Sequence, residues 1–240
     1  MNSVERVHAA LRREQPDRVP IVEFVIDEKV ARAILPDIKD VPDMMDRMDL
    51  DAVACGAFFA AVREFADGSF IDEWGVTYRP NFEAVAHPAR GPIANIEDAQ
   101  AYAPPDPDVL QRLGQLPELV ARYKGKRAIL FHARAAFMWS AYLMGMDNLL
   151  ASFLTEPELA TLVMDKVLEA NIQVVRRAIR AGAEVIVLGD DYAHNLAPLM
   201  SPGVFQEFIL PRLARMVEVV KEEGAFCVKH SDGNLYPFLI

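Results

Sequence analysis

The chain has 240 residues, 52% hydrophobic and 25% charged, with a formal net charge of −10 at pH 7. That is enough apolar material for one barrel-sized α/β domain. The acidic balance speaks against a nucleic acid or an anionic membrane as partner, since both reward a basic surface.

Cys55 and Cys227 make no disulfide framework and favour a reducing, cytoplasmic setting. The first residues lack the apolar core of a signal peptide. The most apolar stretch, 128–146, is broken by His132 and Arg134, so no membrane span is expected. Ser3 is placed to cap a first helix with Val4, Val7 and Leu11 on one face. Pro16-Asp17-Arg18-Val19-Pro20 ends it and launches a first strand over 21–26. Helices are predicted over 28–35 and 42–48, and a second strand over 52–56. A side excursion spans 62–110: residues 72–79 alternate like one strand of a hairpin, and the proline-rich 88–107 reads as ordered surface.

From Arg112 a helix leads to Lys124, a third strand covers 128–132 and a helix covers 139–154. Thr155-Glu156-Pro157-Glu158 predicts a capping box with Thr155 as cap, opening a helix that stops at Gly182. Strand four is 185–189. Ser201-Pro202 starts the next helix, which Pro211 must kink or split, and strand five is 225–230. Strands separated by helices, with Gly182 and Gly224 at the turns, predict right-handed βαβ units and a parallel sheet. Five such units precede Pro237-Phe238-Leu239-Ile240, where a closed (β/α)8 barrel needs eight. The expectation is therefore a single, incomplete barrel domain, the first part of a longer chain.

Two strand ends gather the polar chemistry. In His230-Ser231-Asp232 the imidazole and carboxylate are two apart and share a face, which suits an open metal site or an acid–base pair. The competing reading is a turn capped by Asp232, with positive φ at Gly233-Asn234. In Asp190-Asp191 the two carboxylates point oppositely, so one faces the mouth as ligand, proton acceptor or shifted acid and the other caps the next turn. Tyr192 is grouped with them; His194 either joins the cluster or sits on the loop surface. Glu23 interrupts an apolar strand, and a lone buried carboxylate must face inward for a purpose or be paired. His132 and Arg134 share a face at the end of strand three. Arg134 is the best-placed cation for an anionic substrate group, with neutralisation of Asp190 or Glu23 as the competing role. Met138, Trp139, Met144 and Met146 read as core, and Cys227 as a buried, inert thiol. Cys55, at a strand end, is the more open question. The sequence has no glycine-rich phosphate loop, serine elbow or dinucleotide fingerprint.

Taken in order, Gln15-Pro16-Asp17-Arg18-Val19-Pro20, Asp72-Glu73-Trp74-Gly75, Leu188-Gly189-Asp190-Asp191-Tyr192, Ser201-Pro202 with Phe205, Phe208 and Pro211, and His230-Ser231-Asp232-Gly233-Asn234 resemble the uroporphyrinogen decarboxylase superfamily, which includes corrinoid-linked methyltransferases. The resemblance implies an eight-fold β/α barrel with its site in the mouth. The chain departs from two family patterns. The decarboxylases carry an arginine-rich run after the first strand, which a substrate with eight carboxylates needs; residues 26–31 here read Ile-Asp-Glu-Lys-Val-Ala. The zinc methyltransferases usually have His-x-Cys at strand five, where Asp232 gives a harder donor pair.

The implied function is metal-assisted methyl transfer or O-demethylation, with a corrinoid on a partner protein as methyl carrier. His230 and Asp232, with a further group, would hold zinc or another divalent metal. Asp190 or Asp191 and Glu23 would orient substrate or move a proton, and His132, Arg134, Tyr192 and His194 would contact a small-molecule substrate. A homodimer is among the expected assemblies. The alternatives are a metal-free decarboxylase of porphyrin biosynthesis, in which Arg134 holds a carboxylate, and an idle binding subunit or fragment with an exposed strand edge.

Overall fold

Asn2, not Ser3, caps the first helix, α1 (Ser3–Leu11). Its side chain accepts from the Glu5 amide at 2.9 Å while the Glu5 carboxylate accepts from the Asn2 amide at 3.0 Å. That closed box satisfies two otherwise orphaned donors. The computed structural model describes residues 1–23, 26–39, 41–80 and 87–239. After α1 come α2 (Glu28–Ile34), α3 (Val41–Arg47) and β1 (Ala52–Gly56). The side excursion follows as β2 (Ala61–Glu64), β3 (Phe70–Asp72), β4 (Thr77–Arg79), β5 (His87–Arg90) and α4 (Ile96–Ala101). The α/β rhythm then takes over with α5 (Leu116–Tyr123), β6 (Ala128–Ala133), α6 (Phe137–Met144), α7 (Met146–Thr155) and α8 (Pro157–Arg180). It ends with β7 (Val185–Leu188), α9 (Pro202–Val204), α10 (Leu210–Glu222) and β8 (Phe226–Lys229).

Strands β1, β6, β7 and β8 lie side by side in that order, every pair parallel. Strand alternation sorts their side chains into two layers. Val53, Ile129, Phe131, Ile186 and Leu188 pack outward against Leu119 of α5, Val175 of α8 and Val219 of α10. Ala52, Ala128, Leu130, Val185 and Val187 face the other way, with Val7 of α1 packed against them. This second face is the one that turns polar at the strand ends. The sheet has four strands and is open, so the described residues form no closed barrel. Of the strand expected over 21–26, Phe24 and Val25 lie outside the described residues, and no strand is formed at 21–23 or 26. Ile21 is instead tied to the start of β1: its amide donates to the Asp51 carboxylate at 2.9 Å and its carbonyl accepts from the Asp51 amide at 2.8 Å.

Three local expectations are corrected, and a fourth is located. Residues 72–79 are not one strand; β3 ends at Asp72, the buried Asp72 carboxylate accepts from the Val76 amide at 3.0 Å, and Gly75 supplies φ 76° for the turn into β4. The side sheet is a four-stranded antiparallel β2-β3-β4-β5. The helix expected over 139–154 is two, α6 and α7, divided at Gly145 with φ 87°. Thr155 does not cap α8: proline at the first helical position makes Glu156 the non-helical flanking residue, leaving the Thr155 hydroxyl to donate to the Ala151 carbonyl at 3.1 Å within α7. The break expected at Pro211 falls just ahead of it, where α10 starts at Leu210 with Pro211 in its first turn. A π turn over Phe205–Ile209, in which the Leu210 amide reaches the Phe205 carbonyl, joins α9 to α10 just before it. Among the described residues no helix is long and apolar enough to cross a membrane.

Candidate active site

The inward face of the sheet continues past its apolar layers into ionisable groups because side-chain parity carries on beyond the last paired residue. On β6 the series Ala128, Leu130 leads to His132 and Arg134; on β7 Val185, Val187 leads to Gly189 and Asp191; on β8 Phe226, Val228 leads to His230 and Asp232. His132, Arg134, Asp191, His230 and Asp232 thus line one cavity of about 700 Å³ at the C-terminal ends of the strands. That is the end of a parallel sheet where loops gather ligands.

Three of these groups converge. His230 Nε2 lies 3.6 Å from Asp191 Oδ1 and 3.7 Å from Asp232 Oδ1, and one ligand atom from each of the three residues falls within 4.8 Å of the others. The two loops are laced together by backbone donors: the Asp232 amide donates to Asp191 Oδ1 at 3.0 Å, and the Tyr192 amide to Ser231 Oγ at 2.9 Å. Gly233 permits this. Its φ is +85°, and a Cβ there would meet the Ala193 carbonyl at 2.6 Å.

Donors bound at about 2.1 Å to one tetrahedral ion stand about 3.4 Å apart. The His230–carboxylate separations are close to that value, so an imidazole and two carboxylates fit a divalent cation of borderline-to-hard preference. Asp191 is thereby the third group that the sequence left unspecified.

Asp190 does something else. It is fully buried, and its two oxygens accept from the Ala135 amide at 2.6 Å and the Met138 amide at 2.9 Å. Burial raises its pKa, opposed by the Met138 amide, Arg134 and the Ala135 amide. It pins the loop from β6 to the first turn of α6 and does not line the cavity. Tyr192 is also corrected from a substrate contact to a packing residue: it is 3% exposed, set edge-on to Phe137 and Phe205, with Lys229 Nζ 4.3 Å from its ring centroid. His194 takes the loop-surface alternative; it is exposed, and its Nδ1 accepts from the Leu196 amide at 3.4 Å. Glu23 is exposed and does not border the cavity, so the expected buried carboxylate is not there.

His132 is held neutral, its pKa pushed down to about 4 by burial and then by Arg134 and His230. Arg134 lines the cavity beside it. No carboxylate of the described residues lies within ion-pair distance of Arg134, so its neutralising role towards Asp190 or Glu23 is not realised as a contact. Both cysteines face the outer helices, and burial pushes Cys55 up to about 12 and Cys227 up to about 11.

Sequence reasoning missed three residues here. Trp139, read as core, and Tyr142 both border the cavity, because α6 begins at Phe137 and so presents that face to it. Lys229 ends a strand beside Asp190 and donates to its carbonyl at 2.5 Å and to the His230 carbonyl; burial lowers its pKa to about 8 against the pull of Asp190 and Asp191. A lysine closing an apolar strand was the available signal, since a buried ammonium demands partners.

The sequence profile described as uroporphyrinogen decarboxylase (URO-D) matches residues 2–239. The chain is 24% identical over 163 residues to a methylated-thiol–coenzyme M methyltransferase of Methanosarcina mazei, covering 63% of this chain and 43% of that protein. It is 26% identical over 139 residues to a uroporphyrinogen decarboxylase of Mycobacterium leprae, covering 55% and 38%. The matched region thus spans less than half the length of these curated relatives. A solved methyltransferase from Methanosarcina mazei matches with TM-score 0.77 at 20% identity, covering 100% of this chain and 72% of that one. At that identity the likeness is one of fold.

Proposed function

Because the chain belongs to the uroporphyrinogen decarboxylase family, we propose that it is a methyltransferase-type enzyme of that family, acting in corrinoid-linked methyl transfer or O-demethylation. The observation that carries this reading is the convergence of Asp191, His230 and Asp232 at the cavity mouth. These three would hold a divalent metal, zinc being the first choice. When bound, the ion supplies a Lewis acid able to draw charge from a methyl-bearing heteroatom or to favour the thiolate of an acceptor. The chain's own groups do the rest. Asp190 fixes the turn that carries Arg134, the Asp232 and Tyr192 amides lock the two ligand loops together, and neutral His132 offers a hydrogen bond to a ligand in the cavity. The methyl carrier in this reading is a corrinoid on a partner protein, as the resemblance carried by the sequence motifs implies.

The runner-up is a metal-free decarboxylase, supported by the decarboxylase relatives and by Arg134 as a carboxylate holder. Against it stand two carboxylates at the mouth and the missing arginine-rich run over 26–31. Titration with Co(II) and Zn(II) decides between them. One ion per chain, with affinity falling roughly 100-fold in His230→Ala or Asp191→Ala, is the expected result. Absence of stoichiometric binding, or binding indifferent to both substitutions, would defeat the metal reading.

A further inference from the structure

Arg134 is a half-buried guanidinium on the cavity wall, and its Nη1 is buried with no hydrogen-bond partner. It lies over the Tyr142 ring, with Cζ 5.2 Å from the ring centroid. A half-buried guanidinium with a buried, unspent donor and no carboxylate of the described residues within ion-pair distance calls for an anion, even with Asp190 in electrostatic reach, and its planar fork matches a carboxylate better than a point charge does. The positive field is felt nearby: Arg134 contributes to holding His132 uncharged.

The wall around this cation is aromatic. Trp139 stacks on Trp74 at 4.6 Å and 16°, while Phe59 and Tyr142 stand edge-on to Trp139 at 5.2 Å and 5.5 Å. Phe59, Trp139 and Tyr142 all border the cavity, so a flat apolar body meets ring faces and edges there. The spacing to the metal-type cluster follows from register. Ala133 pairs with Leu188, and the His230 amide bonds to the Leu188 carbonyl, so Arg134 and His230 stand level, two strands apart. Two strand spacings put their backbones about 10 Å apart, and the cavity of about 700 Å³ that both border has the volume for one ring.

We propose that this cavity takes a small organic acid with a flat, unsaturated or aromatic body, its carboxylate held by Arg134 and its opposite end turned to Asp191, His230 and Asp232. Arg134 is thus a specificity-determining residue. The assignment rests on the proposed function only for which end reacts; the recognition of the acid stands without it.

The test uses 4-methoxybenzoate and its neutral isostere 4-methoxybenzamide, titrated into the metal-stripped chain in EDTA at pH 7, with tryptophan fluorescence and calorimetry as readouts. The acid should bind roughly ten-fold or more tightly than the amide. Arg134→Met should bring the two within about two-fold of each other, and Arg134→Lys should keep part of the preference. Equal binding of acid and amide to the unmodified chain overturns the proposal, as does failure to bind the acid, and neither result depends on a variant folding. A preference that survives Arg134→Met but vanishes in His230→Ala also overturns it, by placing the carboxylate at the other cluster. Loss of Co(II) binding with the acid preference intact would sink the metal reading and leave this one standing.

Discussion

Asp190 and Asp191 are neighbours in the chain with different work because strand parity sends one into the wall and the other into the mouth. Asp190→Ala leaves the Ala135 and Met138 amides without their acceptor, and unpaired buried donors cost about 1–3 kcal/mol each. A loss of about 2–5 kcal/mol in urea unfolding is therefore expected, with Asp190→Asn in between because one acceptor oxygen remains. A change below about 0.5 kcal/mol would refute the positioning role. Alternation along the strand told that one of the pair faces the cavity. It did not tell which, because the inward parity is fixed by pairing with β6 and β8, and partners distant in sequence leave no trace in a local pattern. His230 and Asp232 were legible for the opposite reason: two residues apart, they share a face under either parity.

Capping separates what a local motif says from what the whole element does. Thr155 and Glu158 match the sequence pattern of a capping box, yet Pro157 moves the helix start to itself, and the exposed Thr155 remains in the last turn of α7. Asn2 closes the box that forms. Asn2→Ala should therefore cost about 1 kcal/mol, while Thr155→Ala stays within about 0.5 kcal/mol. Thermal melts of the two variants check the contrast, and the reverse order would restore Thr155 as the cap. The α/β half was readable because long helices and apolar strands carry strong periods, as with the 24-residue α8 before β7. The side sheet was not, because β3 and β4 have three residues each, too few to show alternation. That gap hid part of the site, since the packing of Trp74 from this excursion against Trp139 helps place the aromatic wall.

At the scale of the molecule, the end opposite the cavity is held by charge. Arg6 of α1 donates through Nε to Asp17 at 2.7 Å and through Nη1 to Asp51 at 2.5 Å, and Arg18 reaches Asp51 at 3.2 Å, so α1, the 15–20 segment and the start of β1 share one network. The Asp17-Arg18 part of the family-like motif is therefore structural. The Arg6 hydrogen bond holds the Asp17 carboxyl well below the usual range, against some desolvation. For Asp51, burial pushes upward, and the Ile21 amide, the Ser3 hydroxyl and Arg6 more than offset it. Both folded pKa values thus lie below the unfolded one, near 3.9, and below that pH the unfolded chain binds more protons than the folded chain. Their contribution is complete above about pH 5 and is lost as pH falls through the folded values. Urea midpoints followed from pH 7 to pH 3 should drop on the acid side. The acid limb should be shallower in Asp17→Asn, which starts from a lower stability and has one fewer carboxylate to protonate. Because the Asp17 side chain is 43% exposed, raising the salt should narrow the difference between the two proteins. An acid limb as steep in Asp17→Asn as in the unmodified chain would show that the base is held by packing, and that acid acts elsewhere.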